Sequence, residues 1–284
     1  MGLRSGTILV LTLSFVGCSA LGRFSPLRPL ERSLVFQPVP FPTGDWEPAS
    51  ISPDDVSFTA KDGTRLHGWY VRHPAPQGIA LFCHGNAGNV SALAETIQVL
   101  NQRHRLSIMA FDYRGYGLSE GRPSEEGVYQ DARAARAWLA RRENVPEREI
   151  IVMGQSLGGA VAVELAAKDG AKALVLASTF TTLPEVASQF VRVIPASWLM
   201  TYRFDSIQKI RDYRGPLLVS HGTADEVVPF KLGQQLFEAA GTDEKYFFPI
   251  PGARHNDPLP EEYRIEFERF LRGLPGKGPD PETH

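Results

Sequence analysis

The sequence of 284 residues has little of what several protein classes require. It has two cysteines, Cys18 and Cys83, too few for a disulfide framework or a cysteine-rich zinc site. It has no surplus of positive charge. With 30 basic residues against 32 acidic ones, it offers no footprint for phosphates, so no nucleic-acid partner is expected. It lacks a Gly-x-Gly-x-x-Gly fingerprint, a P-loop and metal-ligand spacing, so no cofactor and no metal are expected. No internal repeat is present. What remains is an ordinary globular balance, 43 % apolar and 22 % charged, which argues against disorder or coiled coil over most of the chain.

The first segment reads as an address. Arg4 supplies a small positive region, and Thr7 to Val16 is an uncharged apolar stretch. That stretch is too short to span about 30 Å of hydrocarbon but has the length of a signal-peptide core. Phe15-Val16-Gly17-Cys18 resembles a bacterial lipoprotein cleavage box, with Phe in place of the usual Leu. The resemblance implies lipidation of Cys18 and a membrane partner reached through the lipid anchor. Ser19 after it implies a cell-envelope location, at the outer membrane facing the periplasm in a Gram-negative cell. An ordinary cleaved signal or a short apolar N-terminal helix is the other reading.

Four regions are expected: 1–18 as signal, 19–53 as a proline-rich tether or wrap, 54–272 as one domain, and 273–284 as a frayed tail. Within the domain, Asp62-Gly63 between two alternating runs signals a hairpin. Short apolar runs follow at 78–83, 107–111, 149–153, 171–177, 216–220 and 245–250. Helical patterns separate them at 91–103, 127–142, 158–168, 229–240 and 261–271. The alternation predicts an α/β fold with a mostly parallel central sheet and helices on both faces.

Gly154-Gln155-Ser156-Leu157-Gly158 is Gly-x-Ser-x-Gly, set between an apolar strand and a helical pattern. That context is the one a nucleophile elbow requires. A serine hydroxyl is a weak nucleophile without a base, and the base needs a carboxylate to hold it. In this arrangement the order is serine, acid, histidine. Asp225 follows the run at 216–220, and His255 follows the last strand. Glu226 and Asp257 compete for the acid role, but strand-end spacing favours Asp225. An oxyanion needs two donors: the Leu157 N–H after the nucleophile and, from the loop His84-Gly85-Asn86-Ala87-Gly88-Asn89, the Asn86 N–H. His84 and His221, beside glycines at strand ends, read as packed histidines that make a backbone hydrogen bond.

His-Gly-Asn-Ala-Gly-Asn, Phe111-Asp112-Tyr113-Arg114-Gly115-Tyr116-Gly117-Leu118-Ser119, Gly-Gln-Ser-Leu-Gly-Gly and His-Gly-Thr-Ala-Asp-Glu-Val-Val-Pro occur in that order. Together they resemble the α/β-hydrolase superfamily. Within it they resemble the small-lid subgroup of the α/β-hydrolase-domain depalmitoylases and their bacterial relatives. The resemblance spans about Val56 to Leu271. It implies an α/β-hydrolase fold and cofactor-free hydrolysis of a small acyl ester or thioester. The depalmitoylases' N-terminal cysteine cluster is missing, so protein depalmitoylation does not carry over. Dehalogenases and epoxide hydrolases of this fold place Asp where Ser156 stands. Arg114 reads as an ion-pair anchor for its loop.

A short lid is expected after the sixth strand, at 178–214, rich in apolar residues such as Phe180, Phe190, Trp198, Tyr202 and Phe204. It reads as a wall for an acyl chain, as a helix packed on the sheet, or as a membrane contact. Three functions are held: serine esterase, serine peptidase of the aminopeptidase type, and non-catalytic envelope binding protein. Acidic lid residues for a free amine are limited to Glu185 and Asp205. Oligomeric state is not legible.

Overall fold

The computed structural model describes residues 28–190 and 200–275. Cys18 and the rest of the signal-like segment, positions 191–199 of the expected lid, and the tail after 275 lie outside the described residues. Among the described residues no helix is long and apolar enough to cross a membrane.

The chain opens its sheet with a hairpin. Strands β1 (Asp54–Thr59) and β2 (Arg65–Val71) pair antiparallel, with Phe58 opposite Leu66. Gly63 turns at φ +89°, and the Asp62 side chain accepts from the Thr64 N–H. Six strands follow: β3 (Gly78–Cys83), β4 (Leu106–Phe111), β5 (Ile151–Gln155), β6 (Ala173–Ala177), β7 (Leu217–Gly222) and β8 (Lys245–Ile250). Their order in the sheet is β8-β7-β6-β5-β3-β4-β2-β1. Every pairing from β4 to β8 is parallel, and β2 is antiparallel to β4. All six residues of β4 and all six of β7 are buried, as a sheet covered on both faces demands.

The two faces carry separate cores. Leu81, Met109, Val152 and Leu174 point to one, Phe82, Ile108, Met153 and Val175 to the other. Each such side chain contributes roughly 1.5–3 kcal/mol when fully buried. Four helices are long or placed so as to cover them: α3 (Glu125–Glu143), α4 (Leu157–Asp169), α7 (Phe230–Ala239) and α8 (Glu261–Gly273). Helix α3 starts where the Ser124 hydroxyl accepts from the Gly127 N–H and stops at Asn144, which is left-handed at φ 52°. The segment 90–103 is helical with a short α2 (Ala94–Gln98) at its centre.

Of the tether and wrap readings, residues 28–53 follow the wrap. Helix α1 (Arg28–Val35) holds Pro29 in its first turn, and the Glu31 carboxylate accepts from the Thr201 and Tyr202 N–H groups. Phe36, 2 % exposed, packs edge-on against Tyr202 and Phe204. Gln37–Pro38 pairs with Ala87–Gly88, and Trp46 packs on Trp69. Val35, Phe36 and Ile51 are buried in the core, while Leu30, Leu34 and Phe41 stay exposed. It packs on the domain from residue 31 onward.

The lid is placed after β6 as expected, and holds α5 (Leu183–Ala187) and α6 (Ser206–Lys209). Its described aromatics do not wall a cleft. Phe180, Tyr202 and Phe204 are buried in the same core as Val152 and Leu174. Val191, Val193, Ile194, Trp198 and Leu199 lie outside the described residues.

Candidate active site

The turn from β5 into α4 is built by what its glycines avoid. Ser156 sits at φ 53°, ψ −120°, a conformation that L residues rarely adopt. A Cβ at Gly154 would lie 2.3 Å from the Gly158 carbonyl oxygen. A Cβ at Gly158 would lie 2.0 Å from the Cys83 oxygen and 2.3 Å from the His84 oxygen. The first turn of α4 therefore packs backbone to backbone on the loop after β3. The Thr179 hydroxyl donates to the Ser156 carbonyl at 2.8 Å and holds the turn from behind.

Three side chains from three strand ends converge above it. His255, in the loop after β8, places Nε2 3.1 Å from Ser156 Oγ. Its Nδ1 lies 2.8 Å from Asp225 Oδ2, in the loop after β7. Of the three carboxylates the sequence offers, Asp225 alone holds this ring. Asp257 accepts from the Arg254 N–H instead, and Glu226 reaches only the His255 backbone N–H at 3.5 Å. Asp225 is itself tightly held. Burial pushes its carboxyl up, but hydrogen bonds from His221 and His255 and from the Val228 N–H outweigh burial and hold it below the usual carboxylate range. An ionised Asp225 can only accept, so Nδ1 of His255 carries its proton and Nε2 is left to accept from the Ser156 hydroxyl.

His221 is fully buried and does more than pack. Its Nε2 faces two acceptors, the Val228 carbonyl at 2.9 Å and Asp225 Oδ2 at 3.2 Å, so that nitrogen carries the proton. A Cβ at Gly233 would lie 2.2 Å from its Nδ1, which fixes the ring. Cys83 is no rival nucleophile. It is buried, and burial pushes its thiol up to about 12.

The loop bearing Asn86 passes beside Ser156: a Cβ at Gly85 would come within 3.7 Å of the Ser156 Cβ. Leu157 is the first residue of α4, where N–H groups have no acceptor within the helix. Its helix end also favours negative charge. The loop is held by groups that sequence reasoning missed. The Tyr116 hydroxyl donates to the Asn86 carbonyl at 2.7 Å. The Gln37 N–H donates to the Asn86 side chain at 3.1 Å, and Asn89 donates to the Val39 and Thr43 carbonyls. The proline-rich wrap is thus the outer support of this loop. Arg114 is the expected anchor: it bonds Asp131 through both its backbone and its guanidinium, and it also reaches Asp62.

The fold that brings Ser156, His255 and Asp225 together is shared with known proteins. A family model described as serine aminopeptidase, S33, matches residues 74–211. A Mycobacterium tuberculosis protein is 38 % identical over 86 % of this chain and 87 % of its own. The Arabidopsis thaliana protein WAV2, described as α/β hydrolase domain-containing, is 30 % identical over 72 % of each chain. The chain belongs to the α/β-hydrolase family. Escherichia coli YfhR is 34 % identical to this hydrolase over 79 % of it and 82 % of YfhR. Among solved structures, the Pyrococcus furiosus esterase Pf2001 superposes with a TM-score of 0.70 at 22 % identity, covering 84 % of the hydrolase and 99 % of the esterase. An acetyl xylan esterase from Paenibacillus superposes at 0.64 with 20 % identity, over 82 % and 87 %. At these identities the solved structures share the fold with the hydrolase.

Proposed function

We propose that the hydrolase cleaves carboxylic esters or thioesters through an acyl-enzyme on Ser156. The observation that carries this reading is His255 spanning Ser156 and Asp225 with 3.1 and 2.8 Å contacts. In the proposed reaction Ser156 Oγ attacks the acyl carbon while His255 Nε2 takes its proton. The carbonyl oxygen becomes an oxyanion received by the Leu157 and Asn86 N–H groups. Asp225 holds the ring and its charge. The imidazolium then gives its proton to the leaving alcohol or thiol as the carbonyl reforms. Water, deprotonated by His255, attacks the acyl-enzyme, and collapse returns the proton to Ser156 and releases the acid.

The described fold neighbours that are esterases support the choice of bond. The aminopeptidase description of the matching family model favours a second reading, an amide bond next to a free amine. One comparison separates them: turnover of p-nitrophenyl acyl esters against aminoacyl p-nitroanilides. Ester turnover well above anilide turnover is expected, and the reverse order overturns the ester reading. We also propose that Cys18 carries a lipid anchor that keeps the hydrolase at an envelope membrane. A Cys18→Ser chain is then expected in the soluble fraction, and an unchanged membrane fraction contradicts the anchor.

A further inference from the structure

The described lid does not supply an apolar cleft, yet the molecule has one elsewhere. A cavity of about 420 Å³ lies between the sheet, the helical segment 90–103 and helix α8. That size is within the range of small-molecule sites, whereas packed cores leave few voids larger than a water molecule. Its floor is Phe82, Met153 and Val175, successive neighbours on β3, β5 and β6. Its walls include Leu100 and Phe267. At its other end the lining is Gln155, Ser178, Gly222 and His255, which are strand-end residues and the histidine on Ser156.

The charged groups of the lining lie toward solvent, with Arg264 half-buried on the α8 wall. Glu95, Arg254 and Asp257 line the cavity but are exposed, so they form its rim. Arg103 ties the two helical walls together through Glu261 and Glu268. His104, 2 % exposed, lines the cavity, and its Nδ1 has no hydrogen-bond partner. Burial lowers this imidazole to about 4, so it is neutral at neutral pH.

We propose that this cavity holds the hydrocarbon chain of the ester substrate, entering past His255 and lying along Met153 and Val175 toward His104. The proposal rests on the ester reading and names its substrate class: esters with an extended alkyl chain. A cavity with an apolar floor of Phe82, Met153 and Val175 that reaches His255 suits a linear chain. Each methylene moved from water into it contributes about 0.8 kcal/mol, or about fourfold in kcat/KM, until the space is filled.

The test uses two ester series. In one the acyl group runs from acetyl to palmitoyl on a p-nitrophenol leaving group. In the other the alcohol is lengthened from methyl to hexadecyl on an acetyl group. Active-site concentration is titrated with a fluorophosphonate for each preparation. Val99→Trp fills the cavity from the helical wall, and Met153→Trp fills it from the floor. In parallel, binding of the fluorescent linear fatty acid cis-parinaric acid is measured on Ser156→Ala protein, where no turnover is needed. The proposal expects a rise of about tenfold or more with chain length in one series, which names the acyl or the alcohol side. It expects that rise to shrink in the filled variants, with weaker parinarate binding. Ester turnover with flat profiles in both series, or a rise that survives both fillings, overturns the cavity assignment and leaves the ester reading standing. Parinarate binding without turnover of any ester overturns the ester reading instead.

Discussion

Gly158→Ala is the perturbation whose effect the geometry fixes most tightly. The added Cβ would lie 2.0 Å from the Cys83 carbonyl oxygen and 2.3 Å from the His84 oxygen. Both are backbone atoms, with Cys83 at the end of central strand β3, so no flexible side chain can yield. Contact distances near 3 Å require the helix and the loop to separate by about 1 Å. The helix carries the Leu157 N–H and the loop carries the Asn86 N–H, so that separation widens the space where the oxyanion forms. A misplacement of about 1 Å costs on the order of 100-fold in rate. Overpacking adds roughly 1–3 kcal/mol of lost stability. The assay is kcat on a p-nitrophenyl ester, with urea unfolding of the same preparation. The expected result is a kcat loss on the order of 100-fold in protein that is still folded at the assay temperature. A kcat within a few-fold of the parent, with stability unchanged, would refute the claim that elbow and loop are fixed by this contact.

Other expectations follow from neighbouring contacts. Asp225→Asn removes the acceptor that sets the His255 tautomer, and kcat should fall by about 10⁴, the scale seen when this role is lost elsewhere. A loss under tenfold would place the acid role on another carboxylate. Tyr116→Phe removes the hydroxyl that holds the Asn86 carbonyl, at a cost of about 1 kcal/mol in stability. It should lower kcat more than it changes KM, and an equal effect of opposite emphasis would argue that Tyr116 only packs. His104 is held neutral down to about pH 4, against an ordinary value of 6.5. The unfolded chain takes up the proton that the folded one refuses, so stability present above pH 6.5 is lost as pH falls toward 4. The urea midpoint of His104→Leu should therefore drop less than the parent's over that window; parallel curves would remove His104 from the account.

Strand and helix positions were legible because periodicity and glycines were strong. The runs at 78–83 and 245–250 match β3 and β8 to the residue. The elbow was legible because Gly154 and Gly158 stand where any Cβ would meet backbone. Ser156, Asp225 and His255 were legible by their order along the chain, each at a strand end, and the geometry brings them together. The wrap was legible only as one of two readings. Proline content reads as extended chain, and nothing local says that Phe36 and Ile51 will be buried or that Gln37 will bond Asn86. The lid stayed open among three readings because apolar density does not say which way a side chain faces; Phe180, Tyr202 and Phe204 face the core, as the packed reading has it. His221 was read as packing with a backbone hydrogen bond, which it makes to the Val228 carbonyl; its 3.2 Å approach to Asp225 was not legible, since it depends on the turn of the loop between them.

The central claim is that Ser156 is an activated nucleophile. It is tested most directly by treating the folded protein with a fluorophosphonate and mapping the adduct by mass spectrometry. The account predicts stoichiometric phosphonylation at Ser156, and none in Ser156→Ala. Folded protein that stays unlabelled, or a Ser156→Ala chain that labels to the same extent, contradicts it.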